Sequence, residues 1–125
     1  MKQKNFFQLF SFFLILSLFL FCKKEEKTIG VVSFLKGNPS LERNSKKQEI
    51  KSGEQIQEGD LISTDGKSIL IVSFNNDIGE IEIQTNTVLS IDSFLKNKKS
   101  LQLKKGNVWT KITKLSKNDE FSLHT

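Results

Sequence analysis

The chain has 125 residues, 19 basic and 14 acidic, with a formal net charge of +5 at pH 7. That length accommodates one domain once a targeting segment is set aside, and a lone cysteine excludes an internal disulfide. The basic excess lies in short clusters (Lys23-Lys24, Lys46-Lys47, Lys98-Lys99, Lys104-Lys105) without interleaved aromatic residues, which argues for a solvated surface and against a nucleic-acid platform.

In chain order, Met1 to Asn5 carries Lys2 and Lys4 and no acid, and Phe6 to Phe21 is apolar except for Gln8, Ser11 and Ser17. A basic start followed by an apolar run is the layout of an export signal. The run is short of the roughly 20 residues a permanent span needs. Removing residues 1–21 with Lys2 and Lys4 takes the net charge from +5 to +3. Cys22 follows immediately. Leu18-Phe19-Leu20-Phe21-Cys22 resembles the modification site of a bacterial lipoprotein signal, although Phe21 stands where that pattern has a small residue. The resemblance implies that Cys22 becomes the first mature residue, carries acyl chains and moors the chain to a membrane. Lys23, a non-acidic residue after the cysteine, favours the outer membrane under the same resemblance. Each buried methylene would contribute about 0.8 kcal/mol, and more than one chain makes such anchoring stable. Residues 22–27, CKKEEK, then form a charged tether.

From Thr28 onward the pattern is strand, turn, strand. TIGVVSFL, Thr28 to Leu35, is rich in β-branched and aromatic residues. Gly37-Asn38-Pro39 turns the chain into a strand over Ser40 to Arg43, with a polar turn at Asn44 to Lys47 and a return through Gln48 to Lys51. Gly53 and Gly59 mark two further turns with Ile56 between them. Leu61 to Thr64 is a short strand, and Asp65-Gly66 predicts a tight turn in which glycine takes positive φ. Lys67 to Phe74, KSILIVSF, is apolar on both faces and predicts a central strand covered on two sides. After Asn75-Asn76-Asp77, Ile81 and Ile83 alternate with Glu80, Glu82 and Gln84, the mark of a half-buried strand. Thr87 to Ile91, a charged loop over Lys96 to Lys99, Ser100 to Leu103, a turn at Gly106, Asn107 to Ile112 and Glu120 to His124 complete the series. The expectation is an all-β, antiparallel sandwich or barrel-like domain over residues 28–125, preceded by an apolar signal helix.

GEQIQEGDLISTDGKS, Gly53 to Ser68, has the form glycine, short apolar insertion, Glu58-Gly59-Asp60, apolar pair, Ser63-Thr64, polar, Gly66, polar, Ser68. It resembles the core of the FecR-like domain family. Gly30-Val31-Val32 resembles that family's opening strand, Asn86-Thr87-Val88-Leu89 its Asn-Thr strand, and Leu103 to Val108, around Gly106, its L-x-x-G-x-V hairpin. One departure is that Asp77 is followed by Ile78, with Gly79 displaced. The resemblance implies the envelope-side sensing or docking module of a signal relay. Only Met1 to Asn5 precedes the apolar run, so the family's cytoplasmic sigma-binding region is not expected here. The family's Val-Arg-Gly-Thr strands would follow Thr125, so the resemblance also implies a domain incomplete at its C-terminus, with an unpaired sheet edge.

No catalytic constellation emerges. His124 reads as a surface histidine, because transition-metal sites need several converging ligands. Glu54, Glu58, Asp60 and Asp65 do not have calcium-loop spacing and read as turn acids. Trp109 reads as a core aromatic beside a hairpin. The expected function is therefore non-catalytic and without a cofactor: an envelope lipoprotein whose β domain binds a protein or peptidoglycan, with no nucleic-acid partner. The alternative is a small-ligand carrier with an apolar barrel cavity.

Overall fold

In the computed structural model, residues 27–95, 97–113, 115 and 117–125 are described. The segment expected as a signal, Cys22, expected to be lipidated, and the expected tether up to Glu26 lie outside the described residues. Among the described residues eleven strands alternate with turns: β1 (Thr28–Lys36), β2 (Ser40–Arg43), β3 (Lys46–Glu49), β4 (Gln55–Gln57), β5 (Leu61–Ser63), β6 (Ile69–Phe74), β7 (Gly79–Ile83), β8 (Val88–Phe94), β9 (Lys98–Lys105), β10 (Val108–Ile112) and β11 (Glu120–His124). One sheet of five strands has the order β10-β7-β6-β1-β4, and a second sheet of six has the order β11-β9-β8-β5-β2-β3.

The two sheets share one apolar interior. Period-two alternation sends Leu70, Val72 and Phe74 of β6, and Ile81 and Ile83 of β7, inward from the first sheet. Ile62, Leu89, Ile91 and Leu101 meet them from the second. Each fully buried aliphatic side chain of this kind contributes about 1.5–3 kcal/mol. Phe74 and Phe94 stack tilted across the sheets at 5.3 Å, and Phe121 closes on Phe74 at 5.9 Å.

The all-β architecture is as expected, with corrections in detail. β11 pairs parallel with β9, so the second sheet is mixed. The chain reverses at Gly106 and again after β10, and two reversals return it in the direction of β9. The polar hairpin between β2 and β3 is tighter than expected, since Asn44 and Ser45 both adopt positive φ, 53° and 63°. That is the backbone of a primed two-residue turn. Gly66 is not in the positive-φ region. Its turn is held instead by the Asp65 carboxylate, which accepts from the Lys67 N–H at 2.9 Å and from the Ser68 hydroxyl at 2.6 Å. Lys99, expected in an exposed loop, is the second residue of β9 and only 3% exposed. Its stem lies against the core, with Nζ 5.4 Å from the Phe94 ring centre and donating to the Leu95 carbonyl at 3.2 Å.

β6 carries the largest correction. It is central in its sheet, but one face of it has no covering layer among the described residues. Ile69, Ile71 and Ser73 remain half-exposed while Leu70, Val72 and Phe74 are buried.

Candidate functional site

The outer face of the five-stranded sheet carries three exposed large apolar residues, Val31, Phe34 and Trp109. A bulge between Val32 and Phe34 shifts the β1 register. It turns Val32 and Leu35 toward the core and leaves Phe34 outside, 51% exposed. Phe34 pairs with Ile71 on β6, Ile71 with Glu82 on β7, and Glu82 with Trp109 on β10. The four side chains form one row across the sheet. Three strand spacings separate its ends, roughly 14 Å at about 4.8 Å each. A second row runs Val31, Ser73, Glu80, Lys111, with the Ser73 hydroxyl donating to Ser33 Oγ at 2.9 Å.

Trp109 is the point where the core expectation fails. It is 70% exposed. Val108 and Ile112 of the same strand lean toward the interior, and alternation therefore sends Trp109 and Lys111 outward. The face is thus an aromatic and aliphatic band crossed by a paired acidic strand, with Lys111 opposite Glu80 at one end. Phe34 and Ile71 were not marked by sequence reasoning as surface residues. The available signal was the conflict in KSILIVSF, a strand with more apolar residues than one core face can use.

The residues singled out from the family-like motifs are brought together in structural clusters. Asp60 is fully buried at the start of β5, and its two oxygens receive Arg43 Nε at 2.9 Å and Nη2 at 2.7 Å. Oδ2 also accepts the Gln57 N–H at 2.8 Å, and the same Arg43 nitrogen Nη2 reaches the Gln55 carbonyl at 3.1 Å. Gly59 donates its N–H to Ile91 O at 2.8 Å, tying this turn to β8.

A second cluster joins three distant motifs. Thr64 N–H donates to Thr87 O and Thr87 N–H donates to Thr64 Oγ1, both at 2.9 Å. The Thr64 hydroxyl itself donates to Gln84 O at 2.6 Å. Thr87 Oγ1 in turn accepts the Asn107 N–H at 3.1 Å, directly against Gly106. Asn86, with φ of 52°, bonds its N–H to Asp65 O at 2.9 Å, and buried Ser68 accepts the Asn38 N–H at 3.0 Å. The Ser68 hydroxyl and the Lys67 amide hold the Asp65 carboxyl below its ordinary value. Gly53 is different: it turns in open space, with nothing near its missing side chain.

Where β1 begins, a cleft of about 380 Å³ is lined by Lys27, Thr28, Asn75, Asn76, Phe94 and Lys99, among others. Lys27 donates its ammonium to the Phe94 carbonyl, linking the residue before β1 to the end of β8. His124 is exposed, and no group of three or more metal-ligating side chains is gathered among the described residues.

No protein-family model, no curated protein and no solved structure matches the chain.

Proposed function

We propose that this chain is a non-catalytic docking module of the cell envelope, tethered through lipidated Cys22, with a FecR-like domain that recognises a protein partner. The observation that carries the docking role is the row Phe34, Ile71, Glu82, Trp109 on a sheet face that no layer of the described residues covers. Aromatic anchors with intervening aliphatic residues are what the energetic centres of protein interfaces are made of. Aliphatic Val31 and Ile71 beside the rings favour apolar side chains of a protein over the sugar faces of peptidoglycan. The ordered motifs support the FecR-like reading, because Asp60, Thr64, Ser68, Thr87 and Gly106 each hold a turn or a strand junction through hydrogen bonds or close packing. The signal-like segment before Cys22 supports the tether.

Two experiments test the two halves separately. Metabolic labelling with a fatty acid should mark the wild type and not Cys22→Ala, and equal labelling of both would remove the tether. A photo-crosslinking residue at Phe34 should trap one discrete protein in cells, while the same probe at Lys47 on β3 traps none. Adducts released by muramidase would assign the face to peptidoglycan instead. Equal trapping from both positions would end the docking proposal.

A further inference from the structure

We infer that β10 is a self-complementary edge through which two copies of this chain associate about a twofold axis. The backbone directions come first. Gln84 N–H bonds to Asn107 O, and Thr113 N–H bonds to Ile78 O. In the β10–β7 register these contacts flank the pairs Val108↔Ile83 through Ile112↔Gly79. Antiparallel ladders alternate, so Trp109 and Lys111 direct their N–H and C=O groups at β7. Val108, Thr110 and Ile112 direct theirs away from the sheet, into space that no described strand fills.

A second β10, antiparallel and centred on Thr110, matches this pattern residue for residue. Thr110 faces its own copy, and Val108 faces Ile112, so each outward-directed residue meets another and exchanges two hydrogen bonds. Trp109 then lies opposite Lys111 of the other copy, in the closely spaced non-hydrogen-bonded position. Both are on the outer face, so each indole meets an ammonium, a cation–π pair that the twofold axis repeats. Glu80 and Glu82 flank these pairs from β7. The charge order across the joint is therefore Glu80, Lys111, Trp109 of the other copy, then its Glu82. The two outer faces fuse into one continuous band.

The other edges lack these properties. β3 is Lys46-Lys47-Gln48-Glu49, exposed and polar throughout, a protected edge. β4 has three residues, Gln55 to Gln57. β11 carries no exposed large apolar side chain, whereas Trp109 on β10 does. β10 also has neither proline nor bulge. A five-residue joint makes a small interface, so the association is concentration-dependent.

The test is sedimentation equilibrium of the full-length chain in density-matched detergent, over a wide dilution range. The wild type should move from dimer to monomer on dilution. Trp109→Lys keeps the monomer sound, because Lys then sits opposite its own Glu82, but it sets like charges together across the twofold axis. It should raise the dissociation constant by at least about tenfold. Adding Lys111→Glu together with Glu80→Lys, which keeps opposite charges between β10 and β7, restores opposite charges across the axis and should recover the dimer. A wild type that is monomeric at every concentration up to millimolar overturns the inference. So does a dimer indifferent to Trp109→Lys, or one that the Trp109→Lys, Lys111→Glu, Glu80→Lys variant fails to restore. Because Phe34 lies three strands from this edge, its crosslinks report on the docking proposal independently.

Discussion

Arg43 grips Asp60 with two parallel hydrogen bonds, Nε to Oδ1 at 2.9 Å and Nη2 to Oδ2 at 2.7 Å, and the carboxylate is entirely buried. The pair ties the end of β2 to the start of β5, and through Gln57 and Gln55 to β4. A buried charge is tolerable only while its partner remains. Arg43→Met should therefore destabilise the domain by about 3–5 kcal/mol. Arg43→Lys should recover only part of the loss, because an ammonium cannot supply the planar fork. Denaturant unfolding followed by circular dichroism reads both.

Gly106 has φ of 92°, and a Cβ there would stand 2.2 Å from Thr87 Oγ1 and 2.6 Å from the Asn86 carbonyl. Gly106→Ala should cost the left-handed backbone penalty of about 1–2 kcal/mol and further energy from displacing the Thr87 network. Gly53 has φ of 82° with open space around it, so Gly53→Ala should cost the backbone penalty alone. Similar unfolding midpoints for the two variants would contradict the Thr64–Thr87–Asn107 junction as a packed unit.

Trp109 is the only tryptophan, and the chain has no tyrosine. In dilute monomer its fluorescence should be that of a water-exposed indole and should shift little on unfolding. Trp109→Ala should change monomer stability by no more than about 0.5 kcal/mol. Ile81→Ala, in the strand beside it but fully buried, should cost about 2–5 kcal/mol. A blue-shifted emission that moves on unfolding would return Trp109 to the core.

Asp65 is held below its ordinary value of 3.8 first by the Ser68 hydroxyl and then by the Lys67 amide. A carboxyl depressed on folding adds stability that is present above the ordinary value and lost as pH falls through the lowered one. Asp65→Asn keeps the acceptor oxygen but removes this titration. The stability gap between wild type and Asp65→Asn should be constant from neutrality to about pH 5 and narrow on further acidification. A gap that widens in acid would refute the assignment.

Much of the strand series was legible because turn chemistry and alternation are local. Ser40 to Arg43 and Glu120 to His124 have the predicted bounds, and Glu80 and Glu82 point outward as their alternation with Ile81 and Ile83 requires. The motif residues Asp60, Thr64, Ser68, Thr87 and Gly106 could be singled out by type and order, but their mutual contacts could not. Thr64, Thr87 and Asn107 are far apart in the chain, and only the crossing of strands makes them neighbours.

The sequence by itself determined an all-strand domain, the places of most of its turns, and the inward face of β7, because a period of two and the backbone limits of turn residues act within a few positions. Tertiary structure decided which apolar residues stay outside. The bulge in β1 shifts its register and sends Phe34 out and Leu35 in. The place of β10 at a sheet edge, with no layer over the outer face among the described residues, leaves Trp109 in water. Alternation assigns a side chain to one face or the other, but whether a second layer covers that face depends on residues elsewhere in the chain.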